Sequence, residues 1–366
     1  MKKLFFFIAI ALVCFACTES KTVTVTVTNP TAMERAGEMV EVSMSDVSSK
    51  LQLADTAQIV VLDADGQQVP YQITYDEKVI FPATVKANGT AAYTIQAGTP
   101  AVFDTKACGR HYPERVDDVA WENDLVAFRT YGPALQATGE RAFGYDIWTK
   151  SVSEPVVEDR YDGDLNRGIS YHVDHGNGMD CYAVGPTLGG GTAALFPDST
   201  IVYPYCYKDC EILDNGPLRF TAKLVYNPLV VKEDSSVIET RIISLDKGSQ
   251  LNKTVVSFDN LQEITPVVTG IVLHKQNPMG YSFDADAGYI AYADSTENAA
   301  NNNGVIYIGA VFPATVKGAF AQVFSEKERK ERGDALGHVL AVNDYEPGAE
   351  YIYYWGSGWS KYGFEA

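Results

Sequence analysis

The segment from Arg110 to Gly132 reads R-H-Y-P-E-R-V-D-D-V-A-W-E-N-D-L-V-A-F-R-T-Y-G, a dense set of ionisable groups and polar-tipped aromatics. Val119, Trp121, Leu125, Ala127 and Phe128 are apolar, and charged groups fall between them as on a β-strand. A strand in an ordinary core avoids that density, because each buried charge must be paired or hydrogen-bonded. A site for a polar ligand tolerates it. Arg115, Glu122, Asn123, Asp124 and Arg129 offer charged and planar hydrogen-bonding groups, and Trp121 offers a flat ring. Together they suit a sugar, whose ring stacks on an aromatic and whose hydroxyls take the polar groups. The alternative is a solvated strand carrying surface ion pairs.

Other segments share this character. Gly144 to Lys150 alternates apolar and polar residues and sets Trp148 beside Lys150. Tyr171 to Asp180 holds His172 and His175. In a strand-and-turn setting two such rings do not reliably face one way, so no metal is expected there. His274 follows the apolar run Gly270 to Leu273, a strand end of the kind that carries sites on loops. His338, near the charged Ser325 to Arg332 stretch, reads as a solvated loop histidine. In the closing run Tyr353 to Lys361, Trp355 reads as core and Trp359 as a stacking platform. Gly189-Gly190-Gly191 has no following Lys-Ser/Thr, and no G-x-S-x-G elbow occurs, which disfavours nucleotide enzymes and α/β-hydrolases.

These residues must be held by strands. Thr22 to Thr28 is a strict T-V-T-V-T-V-T alternation, and Asp63-Ala64-Asp65-Gly66 reads as a hairpin turn. Residues 17–100 are expected to form a small β module ending near Ala97-Gly98-Thr99-Pro100. Residues 101–366 carry many short runs rich in Val, Ile, Thr and Tyr, with few windows of helical period. Ser325 to Arg332 has no apolar face and reads as exposed helical turns or a loop. The expected class is all-β, a large antiparallel sandwich.

The formal charge of −18 disfavours nucleic acid as a partner, although a local Arg/Lys cluster can still receive an anion. Lys2 and Lys3 precede the apolar run Leu4 to Ala16, too short to span a bilayer of ~30 Å. Residues 1–16 are therefore read as an export signal. Cys17 follows small Ala16 and precedes polar residues, the pattern of a bacterial lipoprotein, although Cys14 stands where such signals carry an aliphatic residue. Lipidation at Cys17 would anchor the chain to a membrane as a periplasmic or outer-membrane lipoprotein. Of the other cysteines, Cys206 and Cys210 could form a local disulfide or remain thiols.

The segments Ala120 to Leu135, Asp146 to Lys150, Tyr171 to Gly185, Asp214 to Arg219 and the Tyr-Trp-Gly-Ser-Gly-Trp end resemble an exported Bacteroidetes family, the domain-of-unknown-function family numbered 4861. The resemblance implies a galactose-mutarotase-like super-sandwich and a place among proteins of polysaccharide breakdown. It points to elimination on uronate-containing oligosaccharides, by a lyase or a dehydratase. Such chemistry needs a cation on the carboxylate, for which Arg115, Arg129 and Lys150 are candidates. It needs a base, His172 or His274, because histidine ordinarily titrates near ~6.5. It needs an acid for the leaving oxygen: Tyr171, Glu122 or the other histidine. Trp121, Trp148 and Trp359 would stack on sugar rings, and Asn123, Asp124 and Asp180 would bind hydroxyls. No cofactor is expected. An epimerase or mutarotase, or a non-catalytic glycan-binding lipoprotein, would draw on the same groups.

Overall fold

A computed structural model describes residues 21–53, 57–296, 301–362 and 364. The expected signal 1–16 and the expected lipidation site Cys17 lie outside them. The described residues form five antiparallel sheets.

Two sheets belong to residues 22–97. Thr22–Thr28 pairs with Thr90–Ala97, which pairs in turn with Ile59–Leu62. Arg35–Ser43 pairs with Lys78–Val85. Val23, Val61, Phe81, Tyr93 and Ile95 make their shared core. The alternation of Thr22 to Thr28 puts its valines toward that core and leaves all four threonines exposed. Helix Met44–Leu51 was not legible in the sequence. Its short apolar face is Met44, Val47 and Leu51; Val47 and Leu51 are buried, and Met44 packs against the same core.

The rest of the chain is sandwich-like. A nine-stranded sheet includes Arg219–Tyr226, Asp234–Asp246, Leu251–Asp259 and Tyr351–Trp359. A four-stranded sheet includes Gly190–Leu195, Thr265–Leu273 and Gly337–Tyr345. One apolar core takes Phe220, Val256 and Trp355 from the first and Leu195, Ile271 and Val339 from the second. Glu326–Glu331 is an exposed helix with no buried residue, started by a capping box between Ser325 and Glu328.

The fifth sheet positions the polar residues. Its order is Asp146–Trp148, Ala127–Thr130, Asp118–Glu122, Cys108–Tyr112. Period-2 alternation splits it. Val119, Trp121, Phe128 and Ile147 point into the large core. Ala120, Ala127 and Trp148 pack on the opposite face with Val157, Tyr161 and Tyr171. Asp118, Glu122, Arg129 and Asp146 alternate onto that second face, which helix Val157–Asp162 and the loop after it cover. The charged alternation is thus a buried polar layer under a lid of helix and loop, not a solvated strand.

Candidate functional site

Arg129 is the centre of this layer. Cross-strand pairing sets it opposite Asp146, and its Nε donates to Asp146 Oδ2 at 2.7 Å. Its Nη2 donates to Asp180 Oδ2 at 2.9 Å, and Asp118 Oδ2 lies 3.7 Å from Nη1. Burial opposes the charge on Arg129, but the surrounding carboxylates outweigh it and its pKa is raised. Trp148 Nε1 also donates to Asp146, at 3.1 Å. Asp118 is fully buried and accepts from the Tyr161 hydroxyl at 3.0 Å. Burial lifts the Asp118 carboxyl to about 6, although Arg129 and Arg115 pull it down.

Tyr171 sits above this floor, stacked on Trp148 with ring centroids 4.8 Å apart. Its phenol oxygen accepts from Arg115 Nη2 at 3.0 Å and Nε at 3.2 Å, and from Arg129 Nη1 at 3.4 Å. Arg115 is half-buried, and among the described residues no carboxylate pairs with it. The exposed His172 ring lies 4.6 Å from Tyr171, with Nδ1 3.1 Å from the Asp180 carbonyl oxygen. A half-buried guanidinium, a phenol and an imidazole therefore share one edge of the polar layer.

His274 belongs to a neighbouring group. Its Nδ1 lies 3.0 Å from Asp294 Oδ2, and its ring meets Tyr182 edge-on at 5.7 Å. Tyr182 follows Asp180 by two residues, so one short stretch touches both groups. Burial raises the Tyr182 phenol, and Asp294 and Asp146 add to the rise. The Tyr182 hydroxyl is buried without a hydrogen-bond partner among the described residues.

Several residues singled out from the sequence lie elsewhere. Glu122 is buried at the far end of the polar face. It accepts from Lys150 Nζ at 2.6 Å and from the N–H groups of Val156 and Val157 at 2.9 and 2.8 Å. It pairs the buried Lys150 and satisfies the open amino end of helix Val157–Asp162. Trp121 points into the large core, with Nε1 donating to Asn252 Oδ1 at 2.8 Å. Asn123 builds the turn after its strand, accepting from Leu125 and Val126, and Asp124 accepts from the Gly248 N–H. Trp359 is buried and donates to the Asn303 carbonyl at 2.7 Å.

His338 corrects the reading of a solvated loop. It is fully buried in strand Gly337–Tyr345, and its Nε2 accepts from the Leu188 N–H at 3.1 Å. Burial drives its pKa down to about 3. No disulfide joins Cys206 to Cys210, and Cys206 Sγ contacts Gln136 Oε1 at 2.9 Å. Among the described residues no group of three or more His, Cys, Asp or Glu could hold a metal ion. Asp118, Tyr131, Asp146, Tyr161, Tyr182 and Asp294 are site neighbours that the sequence reading did not select. Asp118, Tyr131 and Asp146 had a signal: each falls on the Arg129 face once the strand register is known.

The fold and the polar layer define an all-β, antiparallel, sandwich-like protein with a buried Arg–carboxylate layer under aromatic and histidine groups. The chain belongs to the family described as Domain of unknown function (DUF4861), whose pattern matches residues 27–366. It is 30% identical over 310 residues to "Uncharacterized protein P7" of Formosa agariphila, over 79% of this chain and 77% of that protein. Two solved structures from Enterococcus faecalis overlap it. One is a protein in the glycosyl hydrolase family 38, with 9% identity, a TM-score of 0.44, and coverage of 93% of this chain and 44% of that one. The other is an alpha-mannosidase, with 9% identity, a TM-score of 0.40, and coverage of 92% and 43%. The chain spans less than half the length of either structure.

Proposed function

We propose that the protein is an exported carbohydrate-active enzyme that carries out acid/base elimination on uronate-containing oligosaccharides, as a lyase or a dehydratase. The observation that supports this reading is the Tyr171 phenol, which accepts hydrogen bonds from Arg115 and Arg129 beside the exposed His172 imidazole. Arg115, free of a carboxylate partner, takes the uronate carboxylate and stabilises the negative charge that develops when the adjacent proton leaves. His172 removes that proton. The C–H electron pair forms a carbon–carbon double bond as the β-oxygen departs. The Tyr171 hydroxyl, whose oxygen already accepts from Arg115, gives its proton to that oxygen. Water leaves if the oxygen is a hydroxyl, and a sugar leaves if it is glycosidic. Arg129, held by Asp146 and Asp180, fixes Tyr171 in place. His274, oriented by Asp294, stands as the second histidine, and the unpaired Tyr182 hydroxyl is a partner for a substrate hydroxyl. Glu122 has no part, because its oxygens are already occupied.

The test is mass spectrometry of the purified protein with saturated and unsaturated uronate oligosaccharides. Loss of one water identifies a dehydratase, and an unsaturated fragment identifies a lyase. An unchanged mass with an altered NMR spectrum identifies an epimerase, and no change at all leaves a glycan-binding protein. His172→Ala and His274→Ala are expected to abolish turnover while the fold survives. Full activity in both overturns the assignment.

A further inference from the structure

A cleft of about 960 Å³ lies between the amino-terminal module and the face of the nine-stranded sheet turned away from the core. No residue of the Arg129 or His274 groups lines it. Its floor is a row across three strands: Ser244 opposite Lys253, and Lys253 opposite Tyr354. Tyr75 forms part of the facing wall and is 46% exposed.

The wall is stapled in place. Gln72 Oε1 accepts from the N–H groups of Leu218 and Arg219 at 2.9 and 2.8 Å, and its Nε2 donates to the Arg219 carbonyl at 3.0 Å. The Tyr75 N–H donates to Asp214 at 2.8 Å, and Arg219 pairs with Glu41 at 2.7 Å. The cleft is therefore preformed, which lowers the ordering cost of binding.

Its charges are unevenly matched. Arg35, Lys78 and Arg219 each pair with a carboxylate. Lys247 and Lys253 also line the cleft, and among the described residues neither forms an ion pair. In a chain with formal charge −18, two unpaired cations in one preformed cleft mark a place for anions. Carboxylates also line it, Asp76 and Asp246 among them. Each is already paired with Arg or Lys, and its remaining lone pairs accept hydrogen bonds from hydroxyl groups, which an acidic sugar carries and an acidic peptide lacks. An acidic sugar carries both anions and hydroxyls, and Tyr75 and Tyr354 offer rings to its apolar faces.

We propose that this cleft binds a segment of an acidic oligosaccharide, with Lys247 and Lys253 taking its anionic groups. The site is separate from the Arg115 edge and stands whether or not that edge is catalytic. The test measures binding by calorimetry in full-length Arg115→Ala protein, where the Arg115 edge is disabled. The probes are oligogalacturonate, dextran sulfate oligomers, a neutral maltooligosaccharide and poly-glutamate. Oligogalacturonate, dextran sulfate or both are expected to bind, and the probe that binds identifies the anion as carboxylate or sulfate. Adding Lys247→Gln and Lys253→Gln is expected to weaken that binding by at least roughly tenfold, as loss of charge-assisted bonds implies. The same pair of substitutions in the wild-type background leaves turnover of short substrates unchanged. Unaltered binding in the Gln variant, equal binding of the maltooligosaccharide, or tighter binding of poly-glutamate overturns the proposal.

Discussion

Glu122 separates a catalytic carboxylate from a structural one. Its side chain is buried, pairs with the equally buried Lys150, and accepts two backbone N–H groups ahead of helix Val157–Asp162. Glu122→Leu leaves Lys150 as a buried charge held only by the Asn123 carbonyl. Breaking a buried pair in this way costs ~3–5 kcal/mol. Exposing the helix end costs ~1 kcal/mol more. The expected loss of ~4–6 kcal/mol is a large share of the 5–15 kcal/mol that typically holds a domain together. Urea denaturation followed by circular dichroism measures it. Glu122→Leu with Lys150→Met removes both charges, so the double variant is expected to be more stable than Glu122→Leu alone. Glu122→Gln keeps one oxygen, enough for Lys150 or for the helix end but not both, and turns its NH2 toward the other donor; it is expected to be less stable than wild type but, once folded, to turn over substrate near the wild-type rate. A proton donor replaced by an amide loses ~10²–10⁴-fold in rate. A folded Glu122→Gln protein with a loss of that size refutes the structural role, and so does a Glu122→Leu protein that unfolds at the wild-type midpoint.

Two buried titrating groups set opposite pH trends. Burial raises the Asp118 carboxyl from its usual 3.8 to about 6, so the folded state holds its proton longer than the unfolded state and Asp118's contribution to stability falls as pH rises through that window. Asp118→Asn does not titrate, so its stability relative to wild type should improve by ~2 kcal/mol between pH 4 and pH 6, read from urea midpoints; no relative change contradicts the burial argument. His338 works the other way. Its pKa falls from the usual 6.5 to about 3, so the unfolded state takes up the proton first and stability is lost as pH drops below 6.5. His338→Gln, which keeps an acceptor for the Leu188 N–H, should lose less stability on acidification than wild type; an equal loss in both proteins points to other groups.

The local sequence carried much of the strand pattern. Thr22 to Thr28 alternates, and its valines face the core while all four threonines are exposed. Val119, Trp121 and Phe128 are apolar, and all three enter the large core. Arg115, Tyr171, His172, Arg129 and Asp180 were legible as chemistry-bearing types, and the fold brings them together. What the sequence could not assign was the use of each face. Trp121 has the composition of a sugar platform, but its register turns it inward to Asn252, far along the chain. Glu122 looks like an acid until Lys150 and the helix end, which arrive from later in the chain, take its oxygens. His338 lies close to a charged run in sequence, but in space Leu188 covers it. Alternation is a local property, because each residue's side depends only on its neighbours along the strand. Whether that side meets water, a substrate or another part of the protein depends on chain segments far away, so only the tertiary structure decides which charges are free to act.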